Sequence, residues 1–339
     1  MKCFKRNCFF RQEKKWGWNR MDTKKIRFLS HMGSRGAFGQ AIYDLAQEGV
    51  DFWAISADLG EASGFRRFEE VCPQKCINIG IAEQNLVGVA AGIAKDKTPV
   101  VATTYAPFAS MRCADQIRNY MGYMKLNVKV VGLDSGMIQS KFGGSHYGIE
   151  DMGLLRMIPN ITVISPADGQ EIYAATQAMI SHEGPVYLRL TGGQRLPLIY
   201  KNTDYKFEIG KAIKLKEGNE IAFVATGTIL QEALKAAESL EAEGVSCTVI
   251  DMHTIKPLDT EVLDEIAEHK LIVTVEEHSR IGGLGSAVAE YYAKSTQRPR
   301  QLMIGTPDQY VHPGEYKYLW DVCGLTSEKI MECIKKVEL

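Results

Sequence analysis

Three short clusters in the first half of the chain carry residue types suited to proton chemistry: SADLG with Asp58, NIGIAEQN with Glu83, and GGSHYGIED with His146. Carboxylates and imidazoles are the side chains that most readily take and return protons near neutral pH. Glu83 is the most informative of them, because it falls in the first turn of the run GIAEQNLVGVAAGIA, whose other residues are nearly all apolar. A carboxylate placed there either caps the helix or is held in poorly solvated surroundings for proton transfer, and the pattern alone leaves both open. His146 follows Gly143, Gly144 and Ser145 in a loop that a substrate can reach, yet a purely structural loop histidine reads the same way. Tyr105 and Phe108, just past a strand, read by pattern as core filling.

These clusters need a scaffold that delivers them to one place. Strands are predicted at 52–56, 76–78, 99–103, 128–133, 161–165 and 186–190, alternating with helices at 34–48, from Gly80 onward, at 112–123 and at 171–181. Alternation of this kind builds a mostly parallel sheet covered on both faces. Ligands of such sheets gather beyond the carboxyl ends of the strands, so the three clusters can converge there. In the Gly80 helix, Gly88, Ala91 and Gly92 share one face, which lets another backbone approach closely. A seam without periodicity follows at 191–207, with Gly192, Gly193 and Pro197, and places a boundary near Tyr200. The rhythm then restarts with strands at 221–225, 246–251 and 271–276 and helices at 230–243 and 260–268. The expected fold is α/β, with two doubly wound, mostly parallel-sheet domains at 22–200 and 201–339 and no internal repeat. Residues 1–21 are expected to form a disordered extension, with Met21 an alternative start.

Composition removes several function classes. The 339 residues are 45% hydrophobic and 24% charged, an ordinary globular balance. Forty basic residues stand against 41 acidic ones, so there is no basic field to hold a nucleic acid. No apolar run approaches the roughly 20 residues that a membrane-spanning helix requires. The basic, aromatic N-terminus lacks the apolar core of a secretory signal. Eight cysteines without metal or disulfide spacing point to a reduced, cytoplasmic setting. IGGLGS at 281–286 follows a strand and opens a helix, so its amides can hold an anion, but it lacks the third glycine of a dinucleotide fingerprint. No GxxxxGK[ST] and no GxSxG is present, which removes a P-loop and an α/β-hydrolase triad.

The segments GIAEQNLVGVAAGIA, TTYAPFASMRCADQIRN, GGSHYGIEDMGLLRMIPNITVISPADGQE, VIDMHTIKPLD and VTVEEHSRIGGLG, in this order, resemble the C-terminal half of transketolases. The likeness spans residues 33–330 and is greatest to the separately encoded C-terminal subunits found in bacteria. It implies a thiamine diphosphate pyrimidine-binding domain followed by a transketolase C-terminal domain. By the same resemblance, Glu83 is the glutamate that hydrogen-bonds the aminopyrimidine ring and drives its imino tautomer, with its proton kept available by apolar surroundings. The resemblance also implies that Tyr105 and Phe108 form the aromatic wall against the pyrimidine and that Asp58, Leu59 and Ile81 lie beside the cofactor. It likewise implies that His146 hydrogen-bonds the donor sugar.

Family members bind the diphosphate through a metal held by a GDG motif, and this chain contains none; the nearest string is ADG at 167–169. The resemblance therefore implies an N-terminal partner subunit that carries the diphosphate and Mg²⁺ or another divalent cation, in an α2β2 heterotetramer with sugar or sugar-phosphate substrates. It implies a place in carbohydrate metabolism such as the pentose phosphate reactions. Two departures bear on the substrate. Phe142 stands where transketolases carry an Asp that reads a sugar hydroxyl, and LTGGQ stands where they carry a phosphate-binding Arg, with only Arg189 and Arg195 nearby. These point to an unusual sugar or to recognition by the partner. The competing expectations are a subunit that decarboxylates or condenses a 2-oxo acid, as in pyruvate dehydrogenase beta subunits or deoxyxylulose phosphate synthases, and a non-catalytic interaction subunit.

Overall fold

The structure, a computed structural model, describes residues 21–201, 203, 205–296 and 298–337. The extension expected at 1–21 lies outside the described residues except for Met21, which is half-buried against the apolar cluster around Phe38 and Leu45.

Helix α1 (Thr23–Gln47) starts at Asp22, whose carboxylate accepts from the Lys25 amide at 2.7 Å. It is longer than the expected 34–48 and breaks at Gly33, whose φ of 73° is open to glycine without strain. At the break the Ser34 amide donates to the Gly193 carbonyl, so the helix is interrupted where the chain from the far end of the domain crosses it. Then follow β1 (Trp53–Ser56), α2 (Arg66–Val71), β2 (Cys76–Asn78), α3 (Glu83–Ile93), β3 (Val100–Tyr105) and α4 (Ala114–Gln116). The short α4 is flanked by π-helical turns at Phe108–Arg112 and Ile117–Tyr123. Next come β4 (Val128–Leu133), α5 (Asp151–Met157), β5 (Thr162–Ile164), α6 (Gly169–Ser181) and β6 (Val186–Arg189). Asp168 of the ADG string caps α6 through the Glu171 amide.

Beyond the seam lie β7 (Ile213–Lys216), β8 (Ile221–Thr226), α7 (Leu230–Ala242), β9 (Cys247–Asp251), β10 (Thr254–Lys256), α8 (Thr260–Glu265), β11 (Leu271–Ser279), α9 (Leu284–Tyr292), β12 (Arg300–Thr306), α10 (Tyr316–Val322) and α11 (Ser327–Lys335). Two sheets result, ordered β10-β5-β6-β4-β3-β1-β2 and β12-β11-β8-β9-β7. All pairs are parallel except β10 with β5 and β7 with β9. Strands β3, β4, β5, β6, β8, β9 and β11 are buried along nearly their whole length, and each fully buried valine or leucine contributes about 1.5–3 kcal/mol.

Strand β10 belongs by sequence to the second half but closes the edge of the first sheet, so the two halves are laced together. Its three residues are too few to show a period. Strand β11 runs three residues past its expected end, which carries Glu277 and His278 against the first domain. The IGGLGS amides do meet an anion, but it is internal: the Glu276 carboxylate accepts from Leu284 N and Gly285 N at 2.7 and 2.8 Å. The shared face of α3 is partly open, since nothing among the described residues comes within 4 Å of a methyl group placed on Gly88 or Gly92, whereas Ala91 is buried.

Candidate functional site

Strands β2, β1, β3 and β4 are consecutive neighbours and run parallel, so their carboxyl ends share one edge. That edge receives Ile81 and Glu83 after β2, Asp58 and Leu59 after β1, Tyr105 and Phe108 at the end of β3, and the loop bearing His146 after β4. Asp58 has a φ of 59° and forms a reciprocal pair with Asn78: its amide donates to Asn78 Oδ1 at 3.0 Å, and Asn78 Nδ2 donates to Asp58 Oδ1 at 2.9 Å. Asn78 Oδ1 also accepts from Gly80 N, so this side chain, absent from the sequence-level candidates, ties two of the clusters together. Leu59 packs back onto the core, whereas Ile81 is 79% exposed.

Glu83 opens α3 but caps nothing; the residue before the helix, Ala82, has no side-chain bond either. The carboxylate is only 4% exposed, and Arg112 Nη1 donates to its Oε1 at 2.6 Å. Its surroundings are therefore not the purely apolar ones expected from sequence. The Arg112 guanidinium lies 4.0 Å from the centre of the Phe108 ring, a cation–π contact. A π-helical turn at Phe108–Arg112 links both residues, and wide turns of this kind often accompany functional sites. Arg112 escaped sequence reasoning because its partner lies 29 positions away.

Tyr105 and Phe108 are half-buried rather than core residues. Their ring centres are 6.3 Å apart, and they stand edge-on to His146 at 6.4 and 5.3 Å. Phe142 covers His146 from another side at 5.1 Å and is itself 67% exposed. His146 Nδ1 is 3.0 Å from Ser145 Oγ, which leaves Nε2 available to a ligand.

The loop holding His146 is anchored at both ends. At its start Asp134, with a φ of 51°, takes a bidentate pair from Arg35 at 2.9 and 2.7 Å and a further bond from Gln139. Burial pushes the Asp134 carboxyl up and the Arg35 guanidinium pulls it down. Arg35 also lies 5.9 Å from the Tyr105 ring, so it adds a cation at the rim of the site. An antiparallel bridge between Gly136 and Gly148 pinches the loop shut, and Glu277 from the second domain accepts the Met137 amide at 2.7 Å. Behind this base, Arg189 is fully buried: its Nε bonds Asp151 at 3.0 and 3.1 Å, and its Nη2 donates to the Gly148 and Glu277 carbonyls. Arg189 is thus committed to structure and is no candidate for a substrate phosphate, whereas Arg195 is exposed. Among the described residues no helix is long and apolar enough to cross a membrane.

Residues 30–194 match the family model of the transketolase pyrimidine binding domain, and residues 210–330 match that of the transketolase C-terminal domain. A protein of Methanocaldococcus jannaschii assigned as a transketolase C-terminal section is 36% identical over 311 residues, which covers 90% of this chain and 98% of that one. A 6-deoxy-6-sulfo-D-fructose transketolase subunit from a Clostridium species is 36% identical over 304 residues, or 89% and 94% of the two chains. A solved split gene transketolase, described as an inactive β4 tetramer, superposes with a TM-score of 0.80 at 39% identity over 90% of this chain and 97% of its own.

Proposed function

Because this chain belongs to the transketolase family, as its pyrimidine-binding and C-terminal domains, we propose that it is the C-terminal subunit of a split, thiamine diphosphate-dependent transketolase. In this reading it moves a two-carbon ketol unit from a ketose to an aldose. It acts only with a partner subunit that carries the GDG motif, the diphosphate and the divalent cation, most simply as α2β2 with sites at subunit interfaces. The observation that carries the proposal is the meeting of Glu83, the Tyr105–Phe108 pair and His146 at one sheet edge, in a chain without GDG. The inactive β4 state of the split relative is in keeping with a need for the other subunit.

The residues present fit the pyrimidine half of the cofactor: a buried carboxylate at a helix start, the exposed Ile81 beside it, and two half-buried rings that offer an apolar face. When bound, thiamine diphosphate supplies the carbanion chemistry that cleaves and remakes the carbon–carbon bond. Glu83 holds and moves a proton at the pyrimidine ring nitrogen. Its burial sharpens that hydrogen bond, because few waters compete for the carboxylate. Tyr105, Phe108 and Ile81 exclude water and fix the ring plane, with Asp58 and Leu59 alongside. His146, oriented by Ser145 and the surrounding rings, binds a donor hydroxyl and relays its proton. Phe142 offers that donor an apolar surface and no carboxylate, so hydroxyl recognition passes to other groups, including those of the partner.

The test is ketol transfer by this chain alone, by its GDG-bearing partner alone and by the mixture, with thiamine diphosphate and Mg²⁺. The donors are D-xylulose 5-phosphate, D-fructose 6-phosphate, D-fructose and 6-deoxy-6-sulfo-D-fructose, the last because a relative acts on it. Activity confined to the mixture is the expected result. Cofactor binding without transfer from any ketose would redirect attention to 2-oxo acids, and failure of the mixture to bind cofactor would leave an interaction subunit.

A further inference from the structure

We propose that Tyr310, in the C-terminal domain, is a positioning residue for His146, so that this domain completes the donor end of the site as well as supporting assembly. The proposal rests on the role given above to His146.

The tip of the His146 loop lies directly on the segment between β12 and α10. A methyl group placed on Gly144 would stand 3.0 Å from Tyr310 Cδ1, and one on Gly143 would stand 2.9 Å from Pro313 Cγ. Gly143 has a φ of 76°, a conformation that itself favours glycine. Gly144 has no such backbone requirement, so the absence of a side chain there answers to the Tyr310 ring. The ring is fixed in turn: Tyr310 Oη donates to Glu150 Oε1 at 2.6 Å, just before α5. Tyr310 therefore reaches from the second domain to both Gly144 and Glu150, the positions that flank His146 in the chain. Gly314 N donates to the Ser140 carbonyl at 3.3 Å, and Lys141 pairs with Glu315 at 3.2 Å, so neighbouring residues of the same segment hold the other limb.

The His146 amide donates to the Gly143 carbonyl at 2.9 Å, which ties the His146 backbone to the turn that Pro313 and the Tyr310 ring cover. Tyr310 is 68% exposed, so burial of the ring does not account for its place. A displacement of about 1 Å in a reacting group costs up to about a hundredfold in rate. Seating the loop tip is therefore enough to make a residue outside the pyrimidine-binding domain matter for donor turnover.

The experiment compares Tyr310→Ala, Tyr310→Phe, Gly144→Val and the Gly144→Val/Tyr310→Ala double variant. In the chain by itself, hydrogen exchange of residues 139–147 reads the seating directly and needs no activity. Tyr310→Ala is expected to speed exchange there by about tenfold or more, whereas Tyr310→Phe, which keeps the ring but loses the bond to Glu150, should show a clearly smaller increase. In the assembled enzyme, with whichever ketose of the panel wild type turns over fastest, Tyr310→Ala should lower donor kcat/KM by about ten- to a hundredfold. The affinity for thiamine diphosphate should remain within about twofold, and Tyr310→Phe should restore most of the loss. Gly144→Val should be harmful alone and milder once the ring is gone. Unchanged exchange, or a cofactor affinity that falls in step with donor turnover, would overturn the proposal. Absence of any transfer by the wild-type assembly would instead overturn the transketolase reading and leave the exchange result standing by itself.

Discussion

Arg112 donates a 2.6 Å hydrogen bond to Glu83 while its guanidinium rests 4.0 Å from the Phe108 ring centre, so one cation spans the carboxylate and the aromatic wall. Glu83 is buried and Arg112 is nearly half exposed, so solvent screens the pair from the arginine side. In a double-mutant cycle with Glu83→Gln and Arg112→Gln, the coupling to stability should be about 1 kcal/mol, reduced from a buried pair by solvent screening. Glu83→Gln should also abolish ketol transfer by the assembled enzyme while leaving subunit association intact. Undiminished turnover would remove the central assignment, and a coupling of zero would remove the ion pair.

His146→Ala separates donor chemistry from cofactor binding. The imidazole touches three rings and Ser145 but, among the described residues, no charged partner, so its removal should leave thermal stability and thiamine diphosphate affinity near wild type. Ketol transfer should fall by about 10²–10⁴, the usual worth of a positioned proton-transfer group. An equal loss of cofactor affinity would make His146 structural.

Arg189 and Asp151 are both fully buried, with Tyr187 Oη donating to the same carboxylate at 2.7 Å. Arg189→Met leaves Asp151 without its cation, and calorimetry should show a loss of about 3–5 kcal/mol. A loss below about 1 kcal/mol would mean that the pair is not desolvated as described. Combining Arg189→Met with Asp151→Asn should recover part of the difference, because the carboxylate left without its cation is then gone as well.

Stability should depend on pH through a buried cluster at the seam. Burial pushes Asp251 up to about 7 and Asp168 up to about 6; burial, and then the neighbouring Asp251, raise Glu171 well above the usual carboxylate range. Tyr200 donates to Asp251 and Tyr205 to Glu171, each at 2.6 Å, while the Ala167 amide donates to Glu171. Raised carboxyls hold protons in the folded chain that the unfolded chain releases, so the contribution of this cluster to stability is greatest below the ordinary carboxylate range. It falls as pH rises from about 4 through about 7. Burial lowers His253 and His278 to about 4, and these act in the opposite sense over the same window, so the check is a difference: Asp251→Asn should lose less melting temperature than wild type as pH rises from about 4 to about 7. An unchanged slope in this variant would exclude the cluster as the source.

The individual strands were legible because their information is local: β2 and β4 coincide with the predicted 76–78 and 128–133, since short apolar runs between turn residues leave few alternatives. Glu83 and His146 were legible for a similar reason, as polar groups set into apolar or glycine-rich strings. Strand β10 was not, because its partner β5 lies in the other domain and such a pairing leaves no periodicity in the strand's own residues, and the end of β11 was not, because Glu277, His278 and Ser279 carry no apolar strand signal. The sequence by itself thus determined the alternating α/β scaffold, the residues able to move protons and the lack of a GDG motif. Only the tertiary structure decided that Arg112 faces Glu83, that Arg189 is spent on Asp151, and that Tyr310 lies against Gly144, two residues before His146. Each of those pairings joins positions 29 to 166 residues apart, and only chain packing, not spacing, brings such groups within bonding distance.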